Sequence, residues 1–300
     1  MDSEPNIAKG NGFTVPLHAR TEEEWTTVID PRVRWFDVSL RELWAYRDLV
    51  LLFVRRDFVA QYKQTILGPL WFFIQPLLTT LVFTVIFGKI AKIPTDGIPS
   101  FLFYLSGTVC WGFFSACLTQ TSDTFVANAS VFGKVYFPRL AVPVSIAISS
   151  LFKFFIQFGL FLIFLVYFSL KGSSVALSIW VIALPLLVFQ MGLLAIGCGI
   201  LVSSLTTRYQ DLRHVVGFGI QLWMYATPVV YPLSVIPEHL RLWVAINPMV
   251  AVVEAFRLGF LGVSSLTCTY VVIGWTVSLI ILLTGLVLFS RVEKRFMDMV

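Results

Sequence analysis

The sequence predicts an all-α membrane protein with six transmembrane helices. It also predicts a cytosolic interfacial helix before the first span and two short re-entrant or periplasmic helices between the fifth and sixth. Three observations carry this. Of 300 residues, 57% are hydrophobic and 13% charged, with a mean hydropathy of +0.83; a soluble domain carries about twice that share of charge. A helix needs about 20 apolar residues to cross hydrocarbon, and six stretches supply them: 68–90, 99–122, 142–170, 175–204, 215–233 and 268–290. The cations then alternate from side to side. Of 22 Lys and Arg, Lys89, Lys92, Lys171, Arg241 and Arg257 fall on one side and Lys153 within a span. The other sixteen lie in 1–67, 123–141, 205–214 and 291–300, the pattern of cytosolic segments with both termini inside.

Residues 1–38 are polar and lack the apolar core of a signal peptide, so they read as a cytosolic extension. Thr21 to Glu24 has capping-box spacing for a short helix. Residues 39–67 hold the interfacial helix. From Ser39 to Tyr62 there is no Gly or Pro; Arg41, Asp48 and Arg55 make a polar stripe, with Leu43, Val50 and Val54 opposite. Arg47 and Asp57 interrupt that far side, so the amphipathicity is partial. The helix is expected on the membrane surface with its cations among the headgroups. Gly68-Pro69 is the corner where the chain turns into the bilayer: Gly permits the bend and Pro begins a helix.

Residues 68–295 form the six-span domain, and 296–300 a cytosolic tail. Between the fifth and sixth spans, Pro232, Pro237 and Pro248 cut an apolar run into pieces too short to cross. Irregular backbone of this kind is tolerated at membrane depth only against protein or a wet cavity.

Several functions are excluded or disfavoured. The phosphate-binding loop needs G-x-x-x-x-G-K-[ST]. The Gly-Lys pairs, Gly88-Lys89 and Gly133-Lys134, lack both its earlier Gly and its Ser/Thr. An ion-driven carrier would bury carboxylates at mid-membrane, yet Asp123, Asp211, Glu238 and Glu254 lie at span ends or in loops. The four cysteines and three histidines show no metal spacing, and the net charge of +5 belongs to membrane flanks rather than to nucleic acid. No cofactor is expected.

What remains is a passage. Gln75, Gln120, Gln157, Gln190 and Gln221 occur one per span in the first five, among 28 Phe, 9 Trp and 9 Tyr, Trp71 included. Amides and ring faces suit sugar hydroxyls and C–H faces; the same residues also glue helices and form interfacial belts. Lys153, deep in the third span, needs a cavity, an anionic cargo or a structural partner. In the loop 122–143, Val131, Phe132, Tyr136 and Phe137 lie between and beside Lys134 and Arg139, as an exposed aromatic patch for a partner or as a helix dipping into the interface.

Four pieces in order, RRDFVAQYKQTILGPLWFFIQP, VFGKVYFPRLAVP, RYQDLRH with TPVVYP, and NPMVAVVEAFR, resemble the membrane subunits of ABC-2-type exporters. The likeness runs over about 38–295 and points to permeases for O-antigen, capsular or teichoic acid polymers. It implies a homodimer in the bacterial inner membrane with two copies of a separate ATP-binding subunit, which would hold ATP and Mg. It implies a coupling helix at about 128–137, carried by Asn128, Val131, Phe132, Lys134, Tyr136, Phe137 and Arg139. It implies an outer gate around Pro232, Pro237, Pro248, Glu254 and Arg257, and a channel near Trp71, Gln75, Gln120, Lys153 and Gln157. The cargo it implies is a lipid-linked polysaccharide. A small lipid or drug, or a scaffold without transport, are the alternatives. The extension of about 37 residues departs from many members of that family.

Overall fold

The computed structural model describes residues 40–299, apart from 64–66, 133, 135–136, 174–175 and 207–210. The extension 1–38, Tyr136 and Arg208 to Gln210 lie outside the described residues. The described secondary structure is helical: α1 (Leu40–Ala45), α2 (Arg47–Tyr62), α3 (Trp71–Phe83), α4 (Ser100–Ser122), α5 (Thr124–Ala127), α6 (Ala129–Phe132), α7 (Ala141–Leu170), α8 (Leu184–Thr206), α9 (Leu212–Tyr225), α10 (Glu238–Ala245), α11 (Pro248–Leu261) and α12 (Cys268–Met299).

Among the described residues, five helical segments are long and apolar enough to cross a membrane: Gly68–Ile90, Ser100–Ser122, Ala141–Leu170, Ile179–Thr206 and Cys268–Val292. The stretch expected as a fifth of six spans, 215–233, is helical only to Tyr225. At 14 residues, α9 covers about 21 Å, short of the hydrocarbon thickness. Pro228 follows within three residues, and the chain turns there. The proline-cut region forms α10 and α11, bent by 109° across Ile246-Asn247. Asn247 caps α11 by accepting from Met249 N at 3.1 Å, and Pro248 occupies the first turn, where its missing N–H costs nothing.

The helix expected over 39–62 pauses at Tyr46 and continues as α2. Of its expected polar stripe, Asp48 and Arg55 are exposed, and the Arg41 side chain lies outside the described ones. Its apolar side does two jobs. Val50, Phe53 and Val54 are buried, and α2 packs along α7. Leu51, Leu52, Phe58 and Val59 stay exposed, as lipid-facing residues do. Gly68 takes φ +48, the left-handed region that a Cβ disfavours, and a short 3-10 turn over Gly68–Leu70 leads into α3. The first span ends in a π-helical stretch, Thr84–Ile90.

One helix is the axis. In α4 the apolar window is 78% buried, against 17–28% in the other four spans. It touches α3, α7, α8, α9 and α11, so it has little surface left for lipid. Hydrocarbon gives helices no hydrophobic reason to associate, so contact rests on close packing by small residues and on hydrogen bonds. A Cβ on Gly199 would lie 2.5 Å from Thr121 of α4, and one on Gly197 2.8 Å from Leu282 Cα. Thr80 and Thr108 hydroxyls pair at 3.2 Å across α3 and α4.

Gly285 of α12 is the tightest of these approaches to backbone: its Cβ would stand 2.6 Å from Gly197 O. Gly285→Val should therefore force α8 and α12 apart and cost about 1–3 kcal/mol. Gly159→Ala, which meets nothing within 4 Å, should be neutral. Thermal unfolding of the two variants in detergent, followed by size-exclusion fluorescence, measures the difference.

Candidate functional site

Among the described residues, the most connected polar group lies where the first turns of α4 meet α11. Arg257 of α11 is 2% exposed. A guanidinium withdrawn from water costs several kcal/mol unless it is paired and hydrogen-bonded, and here its three nitrogens are all engaged. Nε donates to Ser106 Oγ at 3.3 Å. Nη1 donates to Pro228 O at 2.6 Å. Nη2 donates to Val229 O at 2.9 Å and Phe103 O at 3.5 Å. The group lies 3.7 Å over the Phe103 ring. Glu254, one turn back on α11, supplies the opposite charge at 3.5 Å, and its other oxygen accepts from Ser264 Oγ at 2.7 Å.

The turn 226–230 is held twice. Arg257 takes two of its carbonyls, and Asn247 Nδ2 donates to Thr227 Oγ1 at 2.8 Å. Gly107 allows the approach, since a Cβ there would lie 2.9 Å from Val229 O. A small cavity beside the ion pair, about 10 Å³ of room for a water centre, is lined by Thr95, Asp96, Phe103, Pro232, Glu254 and Arg257; that is enough for about one water. Of the expected gate residues, Pro232, Glu254 and Arg257 thus share one site and Pro248 starts the helix that bears it. Pro237 is exposed at the start of α10.

At the opposite, cation-rich end, the expected exposed aromatic patch needs correction. Phe132 and Phe137 are each 5% exposed. Their rings meet at 5.5 Å, Phe137 packs on Phe53 of α2 at 5.6 Å, and Phe125 stacks on Phe289 of α12 at 4.7 Å. Arg139, also buried, lies over Phe132 at 5.3 Å. The patch turns inward because α2 and α12 bring aromatic rings to it. Of the helix expected over 128–137, the described residues form the single short turn α6, set off from α5 before it by Asn128, which is buried. Arg56 of α2 donates to Asn128 Oδ1 at 3.5 Å. Val126, Ala127, Ser130 and Lys134 are exposed and Val131 half-buried; Tyr136 lies outside the described residues.

The expected channel residues do not gather at one place. Trp71 and Gln75 lie on the exposed side of α3. Lys153 and Gln157 are half-buried one turn apart on α7, Gln157 approaching Gly112 of α4, and Gln120 is half-buried near the far end of α4. Gln190 is buried between α8 and Gly274 of α12. Sequence reasoning missed Arg56, Phe53, Phe125 and Ser106. Phe53 carried a signal, lying beside Val50 and Val54 in the apolar stripe; Ser106 carried none.

The family described as ABC-2 type transporter matches residues 48–261, from α2 through α11. The O-antigen export system permease protein RfbA of Klebsiella pneumoniae is 28% identical over 252 residues, which cover 84% of this chain and 94% of that protein. The protein of the same name from Myxococcus xanthus is 28% identical over 228 residues, 74% of this chain and 83% of its own length. The capsule polysaccharide export inner-membrane protein CtrC of Neisseria meningitidis is 25% identical over 276 residues, 85% and 95% of the two chains.

Removing the guanidinium should be severe. Arg257→Met strands Glu254 and several acceptors in a dry site, a loss of about 3–5 kcal/mol. Arg257→Lys should restore little, because an ammonium lacks the planar fork that reaches Ser106, Pro228 and Val229 together. Thermal midpoints of the purified variants rank them, with both well below the parent chain.

Proposed function

Since the chain belongs to the ABC-2 type transporter family, we propose that it is the permease subunit of an ABC exporter that moves a lipid-linked, O-antigen-like polysaccharide across a bacterial inner membrane. The observation that carries this reading is the likeness, over most of both chains, to the permeases named for O-antigen and capsule polysaccharide export. Family membership implies a separate ATP-binding subunit. That fits a sequence with no phosphate-binding loop of its own. In the proposed assembly two copies of this chain face each other and two copies of the ATPase bind ATP and Mg beneath them.

The topology proposed is six crossings with both termini cytosolic. The short α9 and the turn after it serve as the fifth crossing, and the α10–α11 pair dips into the outer side without passing through. The positive-inside distribution supports that orientation. Arg257 then lies beneath the outer exit as the clasp of the gate region. The ATPase is proposed to contact the exposed edge of the α5–α6 segment, Val126, Ala127, Ser130 and Lys134, while Phe132 and Phe137 hold that edge to the bundle from inside.

Deleting the gene should leave cells without surface polysaccharide and with polymer accumulated in the cytosol, and the intact gene should reverse both. Surface polymer unaffected by the deletion would refute the reading. The purified chain alone should hydrolyse no ATP. Ser130→Trp or Lys134→Glu should weaken ATPase association by about 1–2 kcal/mol without loss of folded protein. Phe132→Ala should instead lower the thermal midpoint, since it empties a buried site. Co-purification and melting, read side by side, separate the two classes.

A further inference from the structure

Lys153 lies about 18 Å along α7 from its first residue. A lysine at such depth in a span is costly unless an anion or a wet cavity receives it. It is half-buried. α2 carries an anion within electrostatic range. The buried face of α2, a helix that packs on α7, is marked by Val50, Phe53 and Val54. Asp57 follows Phe53 by four residues and Val50 by seven, so it continues that face. From 55 to 60 it alone is half-buried while its neighbours are exposed. Its carboxylate pairs with Arg56 Nη2 at 2.8 Å, and its field reaches Lys153. Arg56 in turn donates to Asn128 Oδ1, in the break between α5 and α6. A polar line therefore runs from the cation-rich loop through α2 into α7.

We infer that Lys153 is held by α2 rather than offered to cargo: Asp57 neutralises it, and the Arg56–Asp57 pair makes α2 the strut by which displacement of the 123–139 loop reaches the middle of α7. Lys153 is thus a positioning residue. Two helices fixed only by apolar contact can slide, whereas a charge pair in a low-dielectric setting holds one register. The transmission half of this inference rests on the proposed export function; the Asp57–Lys153 pairing does not.

The test uses the full chain with its ATPase partner in membrane vesicles. In a version free of native cysteines, Asp57→Cys with Lys153→Cys should cross-link with a short bismaleimide, and Asp57→Cys with Lys171→Cys should not. Absence of the first cross-link overturns the pairing, whatever the protein transports. With cysteines restored, Lys153→Met and Asp57→Asn should each lower the thermal midpoint and reduce transport per ATP hydrolysed several-fold. The exchanged pair, Asp57→Lys with Lys153→Asp, should recover most of the midpoint but not the transport, because it breaks the Arg56–Asp57 pair, and Lys153→Arg should stay near the parent. If Lys153→Met stops transport while Asp57→Asn has no effect and the exchange rescues nothing, Lys153 faces the cargo and the strut is wrong. If the cross-link forms and the exchange rescues the midpoint but no polysaccharide moves in the parent complex, the pairing stands and the cargo assignment falls.

Discussion

A guanidinium closed off from water dictates one end of this bundle. Arg257 can remain buried only while Ser106, Phe103, Pro228, Val229 and Glu254 all stay in reach. Those partners come from the start of α4, the turn after α9 and α11 itself. One desolvation penalty therefore binds three segments that are far apart in sequence. It also accounts for smaller features. Gly107 must have no side chain, or Val229 O could not approach. The turn after α9 must present carbonyls inward, so the helix has to stop at Tyr225 instead of running on to make a full-length span.

The rest of the bundle follows from the lack of any hydrophobic drive between helices in lipid. The buried axis α4 combines large rings with Ser, Thr, Gly and Cys, which lets α3, α7 and α8 approach closely. Its aromatic residues fill the wider gaps: Trp111 and Phe114 meet Trp223 of α9, and Phe113 meets Phe154 of α7. The outer sides of α3, α7, α8 and α12 keep exposed Leu, Ile, Val and Phe, which in a bilayer face acyl chains at no cost.

The cation-rich end illustrates how burial changes a functional reading. Between two basic residues, a run of aromatics looks like a docking patch. In the fold those rings are already occupied, by Phe53 from α2 and Phe289 from α12 through Phe125. What they do is anchor the loop to α2 and α12. Arg139 contributes in the same way, stacked on Phe132 inside the protein.

The sequence by itself determined the class of molecule. Hydropathy settled the long spans because a helix in lipid must satisfy its own backbone and show apolar side chains, and both conditions are local. The corner at Gly68-Pro69, the break at Pro248 and the missing phosphate loop were legible for the same reason. Only the tertiary structure decided which faces meet. Nothing local distinguishes the buried Phe132 from the exposed Phe58, or says that Arg257 is clasped by carbonyls 28 and 29 residues away in the chain. Hydropathy likewise could not tell that α9 ends early, since Val229 and Val230 are as apolar as a span requires and are buried against protein instead of lipid. In a membrane protein the inside and the outside are both apolar, so the pattern that separates core from surface in water carries little information here. Partner choice among helices is left to small residues, buried polar groups and shape, and these act only once the chain has folded.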